Sequence, residues 1–94
     1  MTCAVFWERR AQQDREDIWL YLYKEAGLRV ADATDKRFYE AVDLLKANPH
    51  MGVETDRPYG RRLALAQLPF VIVYATKPGE VHILRLLHTS RKPA

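Results

Sequence analysis

The sequence predicts an α+β domain: a small antiparallel sheet with an αα-hairpin packed on one face, in the order β-α-α-β-β-β. Two observations predict the helical hairpin and one predicts the sheet. Two long stretches have apolar residues at helical spacing, and only Gly27 and its neighbours separate them. A continuous β-branched run, "LPFVIVYAT", is followed by a turn signal, "KPGE", and then by a second apolar run, "VHILRLLH". Ninety-four residues are enough for one small domain, spanning 1–94.

The elements follow in order. "CAVFW" (3–7) is short, apolar and partly β-branched, and reads as a first strand. Residues 8–17 are good helix formers without Gly or Pro, and Ala11, Ile18 and Leu22 fall on one stripe at 100° per residue. Gly27 ends that helix. Trp19 and Tyr23, spaced i,i+4, lie on a flank away from Ile18, where they pack on a neighbouring helix or face a partner. A second helix spans about 28–47, with Phe38, Ala41, Val42 and Leu45 at i, i+3, i+4, i+7. Pro49 disfavours helix at Asn48 and sets the stop.

"HMGVETDRPYGRR" reads as a connecting loop, punctuated by Gly52, Pro58 and Gly60. "RRLALAQ" reads as a strand with Leu63 and Leu65 on one face and Arg62 on the other. "LPFVIVYAT" is the strand expected at the centre of the sheet. In the last strand, strict alternation puts Val81, Ile83, Arg85 and Leu87 on one face and His82, Leu84, Leu86 and His88 on the other. With the hairpin covering one face, Arg62 and Arg85 are candidates for the open one. An arginine inside an apolar strand is paired, at the core edge, or facing a groove.

Composition narrows the function. Apolar residues are 48% and charged residues 29%, the balance of a globular chain. A single cysteine, Cys3, excludes an internal disulfide and fits a reducing cytoplasm. The N-terminus has no long apolar run behind a basic start, so it does not read as a signal peptide. No stretch approaches the roughly 20 apolar residues of a membrane span. Residues 1–56 hold eight Lys/Arg against eleven Asp/Glu, whereas 57–94 hold seven against one, Glu80. The C-terminal third should therefore present a positive face to an anionic partner. One Cys and three scattered His give no metal-ligand spacing, and no glycine-rich nucleotide motif is present, so neither a metal nor a cofactor is expected. Both helices carry several acids, which argues against sequence-specific DNA binding.

"F-W-x-x-x-A" before the first helix, "N-P-H-M-G" after the second, Arg62 opening the meander, "L-P-F-V-I-V-Y" and "V-H-I-L-R-L-L-H-T-S-R-K-P" together resemble the ParE/RelE superfamily of toxin–antitoxin toxins over nearly the whole chain. The resemblance implies a bacterial cytoplasmic toxin silenced by a cognate antitoxin protein. RelE-like members cut mRNA on the ribosome; ParE-like members inhibit DNA gyrase.

The residues of the last strands bear on that choice. Metal-free RNA cleavage needs a base, an acid and cations on the phosphate. His88 with Arg62 and Arg85 would supply part of that set, but no Tyr lies beyond Tyr74. The "H-T-S-R" ending resembles the ParE-like branch more closely. Under that resemblance His88, Arg91, Lys92, Arg85 and Arg62 are the target-binding candidates, and Trp19 and Tyr23 the antitoxin-binding ones. His50 and His82 are expected to be ordinary surface or hydrogen-bonded histidines.

Overall fold

The computed structural model describes residues 2–89, so Arg91 and Lys92 lie outside the described residues. The elements are β1 (Ala4–Trp7), α1 (Arg9–Ala26), α2 (Leu28–Ala47), β2 (Val53–Glu54), β3 (Gly60–Ala64), β4 (Phe70–Lys77) and β5 (Glu80–His88). Gly27 alone joins the helices. At φ 94°, a region costly for residues with a Cβ, its N–H caps the carbonyls of Leu22 and Tyr23 while its carbonyl accepts from Ala31. One residue thus ends α1 and starts α2. α2 stops at Ala47, two residues before Pro49.

The strands form one sheet in the order β1-β5-β4-β3-β2. β3, β4 and β5 are the expected antiparallel meander with β4 at the centre. β1 joins at the far edge, parallel to β5, which makes the sheet mixed rather than purely antiparallel. A two-residue strand, β2, forms where a loop was expected and pairs with Arg61 and Arg62 of β3. Neither feature has a sequence signal. Period-2 alternation says nothing about the direction of a partner strand, and two residues are too few to show a period.

The helical hairpin covers one face of this sheet. Ala11 of α1 and Phe38, Ala41, Val42 and Leu45 of α2 pack on Leu65, Phe70, Ile72, Tyr74, Val81, Ile83 and Leu86. Phe38 meets Phe70 edge-on at 5.4 Å between centroids. Each buried Val, Leu, Ile or Phe side chain of this set stabilises the fold by about 1.5–3 kcal/mol.

Strict alternation fails in β5. Opposite it, Val73 faces Arg85 and Tyr74 faces Ile83, so Leu84 is the extra residue of a β-bulge. Val81 and Ile83 are buried as expected, but beyond the bulge Leu86 takes the core side and Leu87 is exposed. Arg85 therefore does not share a face with Ile83. A bulge inverts the parity of every residue after it, and its position depends on the partner strand.

Candidate functional site

The open face of the sheet is largely apolar, with Arg62 and Arg85 in one of its cross-strand rows. Cross-strand rows place Ala64, Val71 and Leu87 together, then Val53, Arg62, Val73 and Arg85, then Ala75, His82 and Phe6. An antiparallel sheet with one wet face usually turns polar residues outward. Here Val53 is 72% exposed and Phe6 47%. Arg62 is exposed and makes no ion pair among the described residues. It lines a cavity of about 510 Å³ with Val73 and the turn at Glu54–Gly60.

Arg85, two strands along the same row, is held differently. Its Nε donates to Asp14 Oδ2 at 2.7 Å and its Nη2 to Asp14 Oδ1 at 3.1 Å. The Asp14 hydrogen bond raises the Arg85 pKa against the opposing effect of burial. Of the readings open for an arginine in this strand, the paired one is realised. Asp14 also accepts the backbone N–H of Leu86 at 3.0 Å.

His88 ends β5 opposite Phe70 and meets its ring edge-on at 5.2 Å. Phe70 belongs to the core side, whereas Arg62 sits opposite Val73 on the open side. His88 and Arg62 therefore project from opposite faces of the sheet. His82 lies between Glu8 (3.3 Å) and Glu80 (2.7 Å) and stacks on Phe6 at 5.0 Å, which ties β1 to β5. His50 is exposed, and its carbonyl accepts from Arg61.

The helix flank is built from stacked rings. Trp19 and Tyr23 lie 5.2 Å apart and 6° from parallel, and Trp19 Nε1 donates to Asp32 of α2 at 2.9 Å. Next to them Arg15 pairs with Asp35 and places its guanidinium 4.5 Å from the Tyr39 ring centroid. The hydrogen bond with Asp35 raises the Arg15 pKa, again against burial. So Trp19 does pack toward the neighbouring helix, while Tyr23 remains 48% exposed. Arg15, Glu16, Trp19, Leu20 and Asp35 border a second cavity here.

The loop between α2 and β3 is anchored from the core. Tyr74 Oη donates to the Pro49 carbonyl and accepts the Gly52 N–H, both at 2.9 Å. Gly52 is required by space, because a Cβ there would lie 2.6 Å from Tyr74 Oη. Burial pushes the Tyr74 hydroxyl above its ordinary value of 10.0, with the Gly52 bond pulling the other way. Arg61 donates to the carbonyls of His50 and Gly52 and to Glu54.

Sequence reasoning missed Asp14, Arg61 and Tyr74. Arg85 in an apolar strand signalled that an acid must exist, but nothing in the sequence singled out one of twelve.

No helix of the described residues is long and apolar enough to cross a membrane. No curated protein sequence is significantly similar to the chain. Residues 5–93 match the family model described as the ParE toxin of the type II toxin–antitoxin system parDE. A solved structure described as the chromosomal ParDE TA system from P. aeruginosa is similar at a TM-score of 0.83 and 26% identity, covering 95% of this chain and 98% of that one. The chain therefore belongs to the family of ParE toxins of type II toxin–antitoxin systems.

Proposed function

We propose that this toxin inhibits DNA gyrase in the cytoplasm through its C-terminal end and Arg62 of the open face, without cutting a bond itself. His88, Arg62 and the segment carrying Arg91 and Lys92 are the contact residues. One observation supports this over ribosomal mRNA cleavage: the three groups that would form a nuclease site do not converge. His88 and Arg62 leave opposite faces of the sheet, and Arg85 is occupied by Asp14. Metal-free cleavage needs an acid, a base and cations around one phosphate. A docking surface has no such requirement.

A cognate antitoxin neutralises the toxin by covering the Trp19–Tyr23 flank and the open sheet face. Exposed apolar surface with Arg62 standing in it suits an amphipathic, acidic segment.

The test is a gyrase supercoiling assay with folded, antitoxin-free protein, read for lost supercoiling and for trapped cleaved DNA. Inhibition is expected. No effect on gyrase, together with mRNA cleavage in a translation mix that His88→Ala abolishes, would replace this reading with the RelE-like one. For the antitoxin surface, Trp19→Ser/Tyr23→Ser is expected to weaken antitoxin binding at least tenfold; unchanged affinity would move the surface elsewhere.

A further inference from the structure

We infer that Asp14 is a positioning residue for His88, fixing the register in which β5 ends and so the face of the sheet from which His88 projects. The inference rests on the reading above, that this end is the working part of the toxin.

Four observations converge on Asp14. First, β1 pairs with β5 only as far as Trp7 opposite Ile83, so β5 has a bare edge beyond that point. Asp14 covers it by accepting the Leu86 N–H at 3.0 Å. Second, the same carboxylate holds Arg85 with two hydrogen bonds, and its side chain is only 16% exposed. Third, the bulge at Leu84 lies immediately before both contacts. Bulges re-aim side chains, and this one turns Leu86 into the core and His88 onto Phe70. Fourth, pairing continues past the bulge to the end of the described chain, where the Thr89 N–H donates to the Pro69 carbonyl at 2.8 Å.

The alternative register is well defined. Without the bulge, regular alternation would place Arg85 beneath the helices and Leu86 in water. It would turn His88 to the opposite face and shift its position along the strand by about 3.3 Å. Asp14 favours the bulged register because only there do the Arg85 guanidinium and the Leu86 N–H meet the same carboxylate. A residue on α1 thereby sets the end of a strand more than seventy positions later. Asp14 acts through Arg85 and Leu86 and need not touch the target.

The experiment compares full-length wild type with Asp14→Ala and with Asp14→Asn, which keeps an acceptor for the Leu86 N–H. Three quantities are read: growth arrest on induction, affinity for the antitoxin, and the backbone amide resonances of residues 84–89. Asp14→Ala is expected to melt cooperatively and to bind antitoxin within about threefold of wild type. It should require at least tenfold more toxin for growth arrest and shift the resonances of Leu86, Leu87, His88 and Thr89. Asp14→Asn should fall between the two.

Full toxicity with unshifted resonances in folded Asp14→Ala would overturn the inference. So would a parallel loss of toxicity and antitoxin affinity, which marks a general structural defect, or failure of both variants to fold. Growth arrest does not depend on which target is hit, and the resonances depend on no target at all. Failure of the gyrase reading is therefore separable: wild type would arrest growth without inhibiting gyrase, and the register comparison would still decide the role of Asp14.

Discussion

Both faces of the β3–β5 meander carry apolar side chains, and their fates are opposite. On the covered face Ile72, Tyr74, Val81 and Ile83 are completely buried under the helical hairpin. On the open face Val71, Val73 and Ala75 are half-exposed, Leu87 and Ala64 are exposed, and Arg62 stands among them. The chain has helices enough to cover one face only. A soluble monomer gains nothing from valines on its wet side, so the open face fits a molecule that spends part of its life covered by another. The same contrast holds for the two arginines of one row. Arg85, next to α1, is neutralised within the chain; Arg62, two strands away, is exposed and makes no ion pair among the described residues.

Substitutions on the two faces should separate stability from function. The largest effect is expected on the covered side. Phe38→Ala removes a ring that is 1% exposed and should cost about 3–5 kcal/mol, read by urea unfolding. A loss below about 1 kcal/mol would mean that the hairpin is not what holds the covered face.

Tyr74→Phe comes next. It leaves the Gly52 N–H and the Pro49 carbonyl without the hydroxyl and should cost about 1–3 kcal/mol. It also has a pH signature. The folded-state pKa of Tyr74 is raised, so the native state holds the proton more tightly than the unfolded chain. The stability from this group is complete below the ordinary value of 10.0 and is lost as pH rises through the folded value. Wild type should therefore lose stability faster than Tyr74→Phe above pH 10, measured by thermal melts across that range.

At the rim of the open face, Tyr59 holds φ 60° while 78% exposed. A left-handed conformation costs an L-residue about 1–2 kcal/mol, and little in the chain repays it. Tyr59→Gly should raise stability by about 0.5–1 kcal/mol. A lower melting temperature for that variant would show that the ring contributes packing of its own.

The smallest stability effect belongs to Arg62→Ala, expected within about 0.5 kcal/mol of wild type. Its effect should appear in function instead: antitoxin association slowed a few-fold, with a weaker dependence on salt, measured by binding kinetics at two ionic strengths. An unchanged association rate would remove Arg62 from the partner surface.

Much of this molecule was legible before its fold. The helical hairpin followed from Gly27 and from the spacing of Phe38, Ala41, Val42 and Leu45. The central strand followed from an unbroken β-branched run, and the basic C-terminal third from simple charge counting. These are local signals, set by intervals of one to four residues along the chain, and local geometry reads them directly. The family resemblance rested on the same short motifs taken in order.

The remaining features depend on contacts between different elements of the fold. The two-residue strand β2 and the bulge at Leu84 depend on the register of a neighbouring strand, and the parallel direction of β1 and the ion pair of Asp14 with Arg85 need a partner about seventy positions away. A strand's alternation predicts its faces only while the register holds, and one extra residue inverts them. Arg85 announced that it needed an acid; only the packing of α1 along β5 chose Asp14. The two helices, the four longer strands and the distribution of charge could be read from the chain alone. The way those elements meet decided which cations remain outward for a partner, because burial and pairing belong to neighbours in space.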